Sequence, residues 1–321
     1  MRVHELGGIS ALASILIDAK FLGAGAIKYG SPDLVLLNSS GPASHLAKNS
    51  ILCGPSSTRV IIKQSTIPQG NNGNNGLEGK IELRPEKPSL TAEIEEWKHG
   101  CWYHANIISA QSLGDLLNRL KSLTPKYEFS DNNEHLPGGA FWAGSIAYDM
   151  VQFTQPICID KLPPEHDVLT VLWLIENYVI HSVDNDDYRV YGINEQWSKG
   201  VKEVVSNEDL LLTLPIQPEN ENAEYSSIDD EQHRDSIEKI RTSIANGIFY
   251  QMNFGRFWSG RLVEHPLTMF QRLTITNPAP FSAYIEALDL GLAIVSSSPE
   301  TLLRCNNCLL YTSDAADEER G

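Results

Sequence analysis

The feature that most constrains this chain is a recurrence of short β-branched and aromatic runs, punctuated by residues that favour tight turns. Leu34-Val-Leu-Leu37 and Arg59-Val-Ile-Ile62 are apolar enough to be buried strands, with a polar loop between them. Val168 to Val183 is long and β-branched, Asp184-Asn-Asp-Asp187 is a turn, and Tyr188-Arg-Val-Tyr191 alternates after it, which reads as a hairpin. A second hairpin runs from Ala283 to Leu288, turns at Asp289-Leu-Gly291 and returns over Leu292 to Val295. Tight turns join only antiparallel neighbours, so the sheets are predicted to be largely antiparallel.

Helices are fewer. Leu113, Leu116, Leu117 and Leu120 follow the i, i+3, i+4, i+7 rule and are expected to be core, the helix closing before Pro125. Ile237, Ile240 and Ile244 mark a second helix face, with capping-box-like spacing at Ser227 and Asp230 and a stop at Asn246-Gly247. A strand from Phe249 to Phe254 is predicted to follow. Gly70 to Gly76 is a Gly/Asn connector, and the polar, Pro-containing stretch 213–225 is the predicted linker between two domains. No internal repeat or coiled-coil heptad is visible.

Charge narrows the function. The 321 residues include 25 basic and 41 acidic side chains, a formal charge of -16, which repels nucleic acid and anionic membranes. No stretch approaches the roughly 20 apolar residues of a membrane span, and Met1 to Leu22 lacks the layout of a signal peptide. Five irregularly spaced cysteines fit reduced thiols better than a disulfide framework, so a cytoplasmic protein is expected. In that setting the sequon-like Asn38-Ser39-Ser40 carries little weight.

Three short segments hold polar groups in suggestive order. In Tyr250-Gln-Met-Asn253 the two-residue period of a strand puts both carboxamides on one face, where they could bind a polar ligand or merely satisfy buried backbone groups. Asn277-Pro-Ala-Pro280-Phe281-Ser282 is a stiff, extended lead-in to a strand. Ser296-Ser-Ser-Pro299-Glu300 ends a hairpin strand with a carboxylate after a run of hydroxyls. Singly each has an ordinary structural reading: backbone satisfaction, a rigid turn, a solvated surface charge.

In this order and spacing, however, Ile244-x-x-Gly247-x-x-Tyr250-Gln-x-Asn253, Asn277-Pro-Ala-Pro-Phe281 and Ser296-Ser-Ser-Pro-Glu300 resemble the chorismate-binding enzymes. Gly138-Gly139-Ala140, Gly144 and Tyr148-Asp149 resemble the family's N-terminal motif, and Leu36-Leu-Asn-Ser39 its ligand-pocket strand. Ala279-Pro-Phe-Ser-Ala-Tyr284 resembles the aminodeoxychorismate synthase component I branch more than the anthranilate synthase branch. Three places depart from the pattern: Ile248 stands where the family has Asp, Thr301 where it has Arg, and Lys48-Asn49-Ser50 where a Ser-Arg-Tyr type of sequence is common.

The resemblance implies an α/β protein of α+β type, a two-subdomain sandwich of largely antiparallel sheets with outer helices, incomplete at its C-terminus. It implies an N-terminal domain over 1–212, a linker over 213–225 and the start of a chorismate-binding catalytic domain over 226–307. It also implies conversion of chorismate, with ammonia from a partner glutamine amidotransferase, to 4-amino-4-deoxychorismate on the route to para-aminobenzoate and folate. Anthranilate synthase chemistry and a noncatalytic amino-acid-binding relic are the alternatives.

Glu300 matches the family's proton-donating carboxylate. Ser39, Leu46, Ala47, Lys48, Asn49, Pro280, Phe281 and Ser282 match its amino-acid pocket, which holds tryptophan in relatives. In the family route a lysine attacks the ring, water leaves and ammonia enters. That lysine and the Mg²⁺-binding glutamates belong to segments after Pro-Glu that are not found here, so this fragment alone is expected to be inactive and to contain no metal site.

The tail from Cys308 to Glu318 resembles a translated transposase-type sequencing adapter, and 308–321 is expected to be an assembly scar. On that expectation Cys305-Asn-Asn-Cys308 is no zinc or redox pair.

Overall fold

The computed structural model describes residues 8–40, 48–64, 90–127, 138–155, 163–207, 225–262, 264–306 and 309–312. The first nine strands are β1 (Leu34–Asn38), β2 (Asn49–Cys53), β3 (Thr58–Lys63), β4 (Leu90–Lys98), β5 (Cys101–Ala110), β6 (Phe141–Ile146), β7 (Val168–Ile175), β8 (Asn177–Ser182) and β9 (Asp187–Gly192). After them come β10 (Tyr225–Ser226), β11 (Trp258–Ser259), β12 (Phe281–Ala287), β13 (Leu292–Ser298), β14 (Leu303–Asn306) and β15 (Leu309–Thr312). They build a six-stranded sheet in the order β13-β12-β1-β2-β8-β9, a five-stranded sheet in the order β5-β4-β3-β7-β6, and two separate two-stranded pairs, β10-β11 and β14-β15. Every pairing among the described strands is antiparallel.

The two large sheets lie face to face. Alternation sends Val35, Cys53, Tyr178, Ile180, Ile285 and Ala287 of the six-stranded sheet against Ile61, Val171, Trp173 and Ile175 of the other. The opposite face of the six-stranded sheet, through Leu36, Leu52, Val179 and Tyr284, is covered by helices α1 (Gly8–Asp18), α4 (Glu195–Val205) and α6 (Pro266–Thr276). The outer face of the five-stranded sheet carries α2 (Leu113–Leu123), whose Leu116 and Leu120 join Val60, Ile62 and Ile94, together with Phe153 of the short α3 (Val151–Thr154). The remaining helix, α5 (Asp230–Ala245), has no buried residue.

Local chemistry sets the ends of these elements. Asp115 N–H donates to Ser112 Oγ at the start of α2, and Trp197 N–H donates to Asn194 Oδ1 at the start of α4. Pro266 opens α6, where a missing N–H costs nothing. Gly291, at φ 60°, closes the β12–β13 turn.

Both hairpins and both helices read from sequence form, and the sheets are antiparallel as expected. Five readings are corrected. Val168 to Val183 is not one strand: it breaks at Glu176 into β7 and β8, which lie in different sheets. The loop between the first two predicted strands contains β2. On α2, Leu117 is 44% exposed because it faces away from the sheet that Leu116 and Leu120 cover. Phe249 to Phe254 forms no strand: no neighbouring strand pairs with it, and from Tyr250 to Phe254 every side chain is exposed, so the two-residue alternation has no buried face to define. The capping box of α5 is made by Asp229 and Gln232 rather than Ser227 and Asp230. Residues 70–76 and 213–224 lie outside the described residues.

Candidate functional site

At one end of the six-stranded sheet the apolar face gives way to a polar row. Ser297 pairs with Ser282, and Ser282 with Asn38. Ser50 Oγ lies 3.4 Å from Asn38 Oδ1, Ser50 pairs with His181, and His181 pairs with Tyr188. The row therefore crosses all six strands, and by the two-residue period it continues the helix-covered face of Leu36, Leu52, Val179 and Tyr284. Asn38, Ser50, His181 and Ser282 are buried.

The partners within this row are specific. Ser39 N–H donates to Ser50 Oγ at 2.9 Å, and Ser39 Oγ donates to Asn49 O at 2.8 Å. Ser40 N–H donates to Ala279 O at 3.0 Å, and Ser282 Oγ donates to the same carbonyl at 3.3 Å. His181 Nε2 lies 2.9 Å from Asp186 Oδ1, and its ring stacks on Tyr188 with centroids 4.5 Å apart. The Tyr188 hydroxyl is buried with no hydrogen-bond partner among the described residues. Burial pushes its ionisation well above the ordinary tyrosine range. The phenol therefore stays protonated and can donate as well as accept.

Of the pocket residues read from sequence, Ser39, Asn49, Pro280, Phe281 and Ser282 are brought together here, at the ends of β1, β2 and β12. Lys48 is exposed beside them and its carbonyl accepts from Val183 N–H at 2.9 Å. Leu46 and Ala47 lie outside the described residues. Sequence reading missed Asn38, Ser50 and His181. Extending the period of two from Leu36 would have aimed Asn38 inward, whereas His181 needed the pairing of β2 with β8.

Glu300 follows β13 on the other side of the same hairpin end. Ser298 Oγ donates to Glu300 O at 3.1 Å and accepts from Glu300 N–H at 3.4 Å, so a hydroxyl of the serine run holds the backbone that carries the carboxylate. Phe281 pairs with Ser298, and Ser297 Oγ donates to Asn277 O at 2.8 Å. The segments 277–282 and 296–300 are thus one structural unit. The third segment, with Gln251 and Asn253, is exposed coil after α5, and among the described residues no hydrogen bond joins it to Glu300. In the segment 138–149, Gly144 sits on β6 against β7, where a Cβ would overlap Val171 O, so this glycine answers to packing.

Among the described residues no group of three or more His, Cys, Asp or Glu side chains could hold a metal ion. Among them, too, no helix is long and apolar enough to cross a membrane. Cys53 is buried and Cys101 exposed, both free.

The model of the chorismate binding enzyme family matches residues 86–314. The chain belongs to the chorismate binding enzymes. It is 25% identical over 221 residues to aminodeoxychorismate synthase component 1 of Bacillus subtilis, a match covering 63% of this chain and 45% of that protein. It is 27% identical over 220 residues to anthranilate synthase component 1 of Aquifex aeolicus, covering 63% of this chain and 43% of that one. The solved anthranilate synthase component I of Streptococcus pneumoniae aligns over 76% of this chain and 56% of its own, at 18% identity and a TM-score of 0.44. The matched part of this chain therefore spans under half the length of these two curated relatives.

Proposed function

We propose that the chain is part of an aminodeoxychorismate synthase component I, which combines chorismate with ammonia to give 4-amino-4-deoxychorismate. Family membership over residues 86–314 supports chorismate as the substrate. The observation that carries the branch is the unit formed by 277–282 and 296–300: Ala279-Pro-Phe-Ser-Ala-Tyr284, the aminodeoxychorismate-like sequence, is strand-paired directly to the serine run that leads to Glu300. In this reading Glu300 is the proton donor to the departing ring hydroxyl, and Ser298 fixes the backbone beneath it. A partner glutaminase supplies ammonia, and a lysine from a segment beyond Glu300 forms the covalent adduct.

Anthranilate synthase is the second reading, favoured by the 27% identity to the Aquifex aeolicus protein. Reading the source gene onward from codon 307 separates the two. Lysine in a Pro-Ile-x-Gly-Thr motif supports aminodeoxychorismate synthase, alanine there supports anthranilate synthase, and absence of the motif removes both. In protein made from the extended gene, Glu300→Gln is expected to lower chorismate consumption by about 100-fold or more, the range of general-acid contributions. Unchanged turnover would remove Glu300 from the mechanism.

The polar row is proposed as the amino-acid pocket, its ligand of tryptophan type. Ser39, Ser50 and Ser282 supply hydroxyls for the ligand's ammonium and carboxylate, and the flanking half-buried Phe281 supplies an apolar wall. Calorimetric titration with L-tryptophan is expected to show binding that Ser50→Ala weakens by about fivefold to tenfold, the cost of one hydrogen bond. Equal affinity in the variant would place the ligand elsewhere.

A further inference from the structure

Arg59 has no role in the site just described, yet three carboxylates and a tryptophan ring hold it. It lies on β3 facing the six-stranded sheet and is 1% exposed. Its strand neighbours are Glu95 on β4 and Trp173 on β7. Nε donates to Glu95 Oε2 at 2.7 Å, and the guanidinium lies 4.3 Å over the Trp102 ring of β5. Across the gap between sheets, Nη1 donates to Asp289 Oδ1 at 2.7 Å and Nη2 to Asp289 Oδ2, a two-pronged fork. Nη1 also reaches Asp33 Oδ2, just before β1, at 3.3 Å.

We infer that Arg59 is a latch between the sheets: its fork on Asp289 pins the turn of the β12–β13 hairpin, and it can release that turn to take Asp33 instead while both sheets stay folded. Asp289 sits in the turn Leu288–Leu290 and is half exposed, so it can leave for water. Its fork is the turn's sole hydrogen-bonded link to the facing sheet among the described residues. Breaking a buried ion pair normally strands a charge at a cost of several kcal/mol. Here the guanidinium has a second acceptor in place, because Asp33 Oδ1 is buried with no partner, while Oδ2 is already fixed by Trp173 Nε1 at 2.8 Å and Trp102 Nε1 at 3.2 Å. Two arrangements of one cation among three carboxylates make the bistable element a switch needs.

The latch has a direction in pH. Burial, partly opposed by Trp173 and Arg59 and reinforced by Asp289, raises the Asp33 carboxyl to about 6. Below that pH Asp33 is neutral, a poor alternative partner, and the latch stays on Asp289; above it, release becomes easier. Glu95 faces Arg59 in both states and Trp102 and Trp173 do not titrate, so Asp33 sets the sign. Because β13 runs into Ser298 and Glu300, the latch also tunes their approach on the reading of Glu300 proposed above, but its existence does not depend on that reading.

Hydrogen exchange on the full chain tests it without reference to turnover. With intrinsic rates corrected, amides of 288–295 are expected to exchange about tenfold faster in Asp289→Asn while 58–63 and 168–175 are unchanged, as local opening requires. Between about pH 5 and 8 the same amides of the wild type should speed up, and Asp33→Asn should abolish that rise. Equal acceleration everywhere in Asp289→Asn, no acceleration, or a pH rise that survives Asp33→Asn would each overturn the latch.

Discussion

Asp33 shows how far a side chain can be moved from its ordinary chemistry by where the fold puts it. Its carboxyl, about 6 against the usual 3.8, is raised mainly by burial, which outweighs the Trp173 hydrogen bond and the Arg59 charge. Between roughly pH 4 and 6 the folded chain keeps a proton that the unfolded chain has lost, so stability falls as pH rises through that window. The penalty is complete above it, at about 3 kcal/mol. The unfolding free energy of wild type minus that of Asp33→Asn, from urea titrations, should therefore shrink by about 2 to 3 kcal/mol from pH 4 to 7. A difference that grows instead would mean that the Arg59 pair stabilises the ionised form. None of this was legible in the sequence, where Asp33 and Arg59 are an isolated acid and a lone base in a strand, and only the face-to-face sheets bring them together. That Ser39 and Ser282 would lie near one another was legible because ordered motifs, not single residues, pointed to them, and Asn38 and Ser282 are strand partners.

At the scale of elements, α5 is the instructive case. Its isoleucines keep helical spacing, yet Ile237 and Ile244 are 38% and 39% exposed, so periodicity found the helix but not a core for it. With no buried residue to hold it, the helix leans on its capping box, in which Gln232 N–H donates to Asp229 Oδ1 at 2.7 Å and Asp229 N–H donates to Gln232 Oε1 at 3.3 Å. Asp229→Ala is expected to cost about 1 kcal/mol locally, seen as roughly fivefold faster exchange of the first-turn amides with the global melting midpoint unmoved. A falling global midpoint would show that α5 is coupled to the sandwich. The strand expected over Phe249 to Phe254 failed for a related reason: β-propensity describes a residue that suits a half-buried pleated surface, and this stretch has no partner strand.

For the molecule as a whole, turn chemistry made the antiparallel character legible, while the assignment of strands to sheets was not. The break that sends β7 and β8 into opposite layers falls at the polar pair Glu176-Asn177 between two apolar runs, and that pair does not say which sheet each run joins. Trp197 shows how the outer layer is fastened: fully buried on α4, it packs with Leu12 and Leu16 of α1, and its Nε1 donates to Phe21 O at 2.9 Å. Trp197→Ala is expected to lower the unfolding free energy by about 3 to 5 kcal/mol in urea titration. A loss under 1 kcal/mol would mean that α4 is only loosely docked.

The pairing of β1 with β12 has a consequence for how the protein is made. Leu34 meets Glu286, and Arg59 meets a partner 230 residues further along. A ribosome adding roughly 5–20 residues per second takes on the order of 10–50 s to cover that distance. Throughout that interval the edge of β1 that β12 will take stays unpaired. The yield of folded chain in a cell should then depend less on how stable the finished sandwich is than on what shelters β1 until codon 290 has been read.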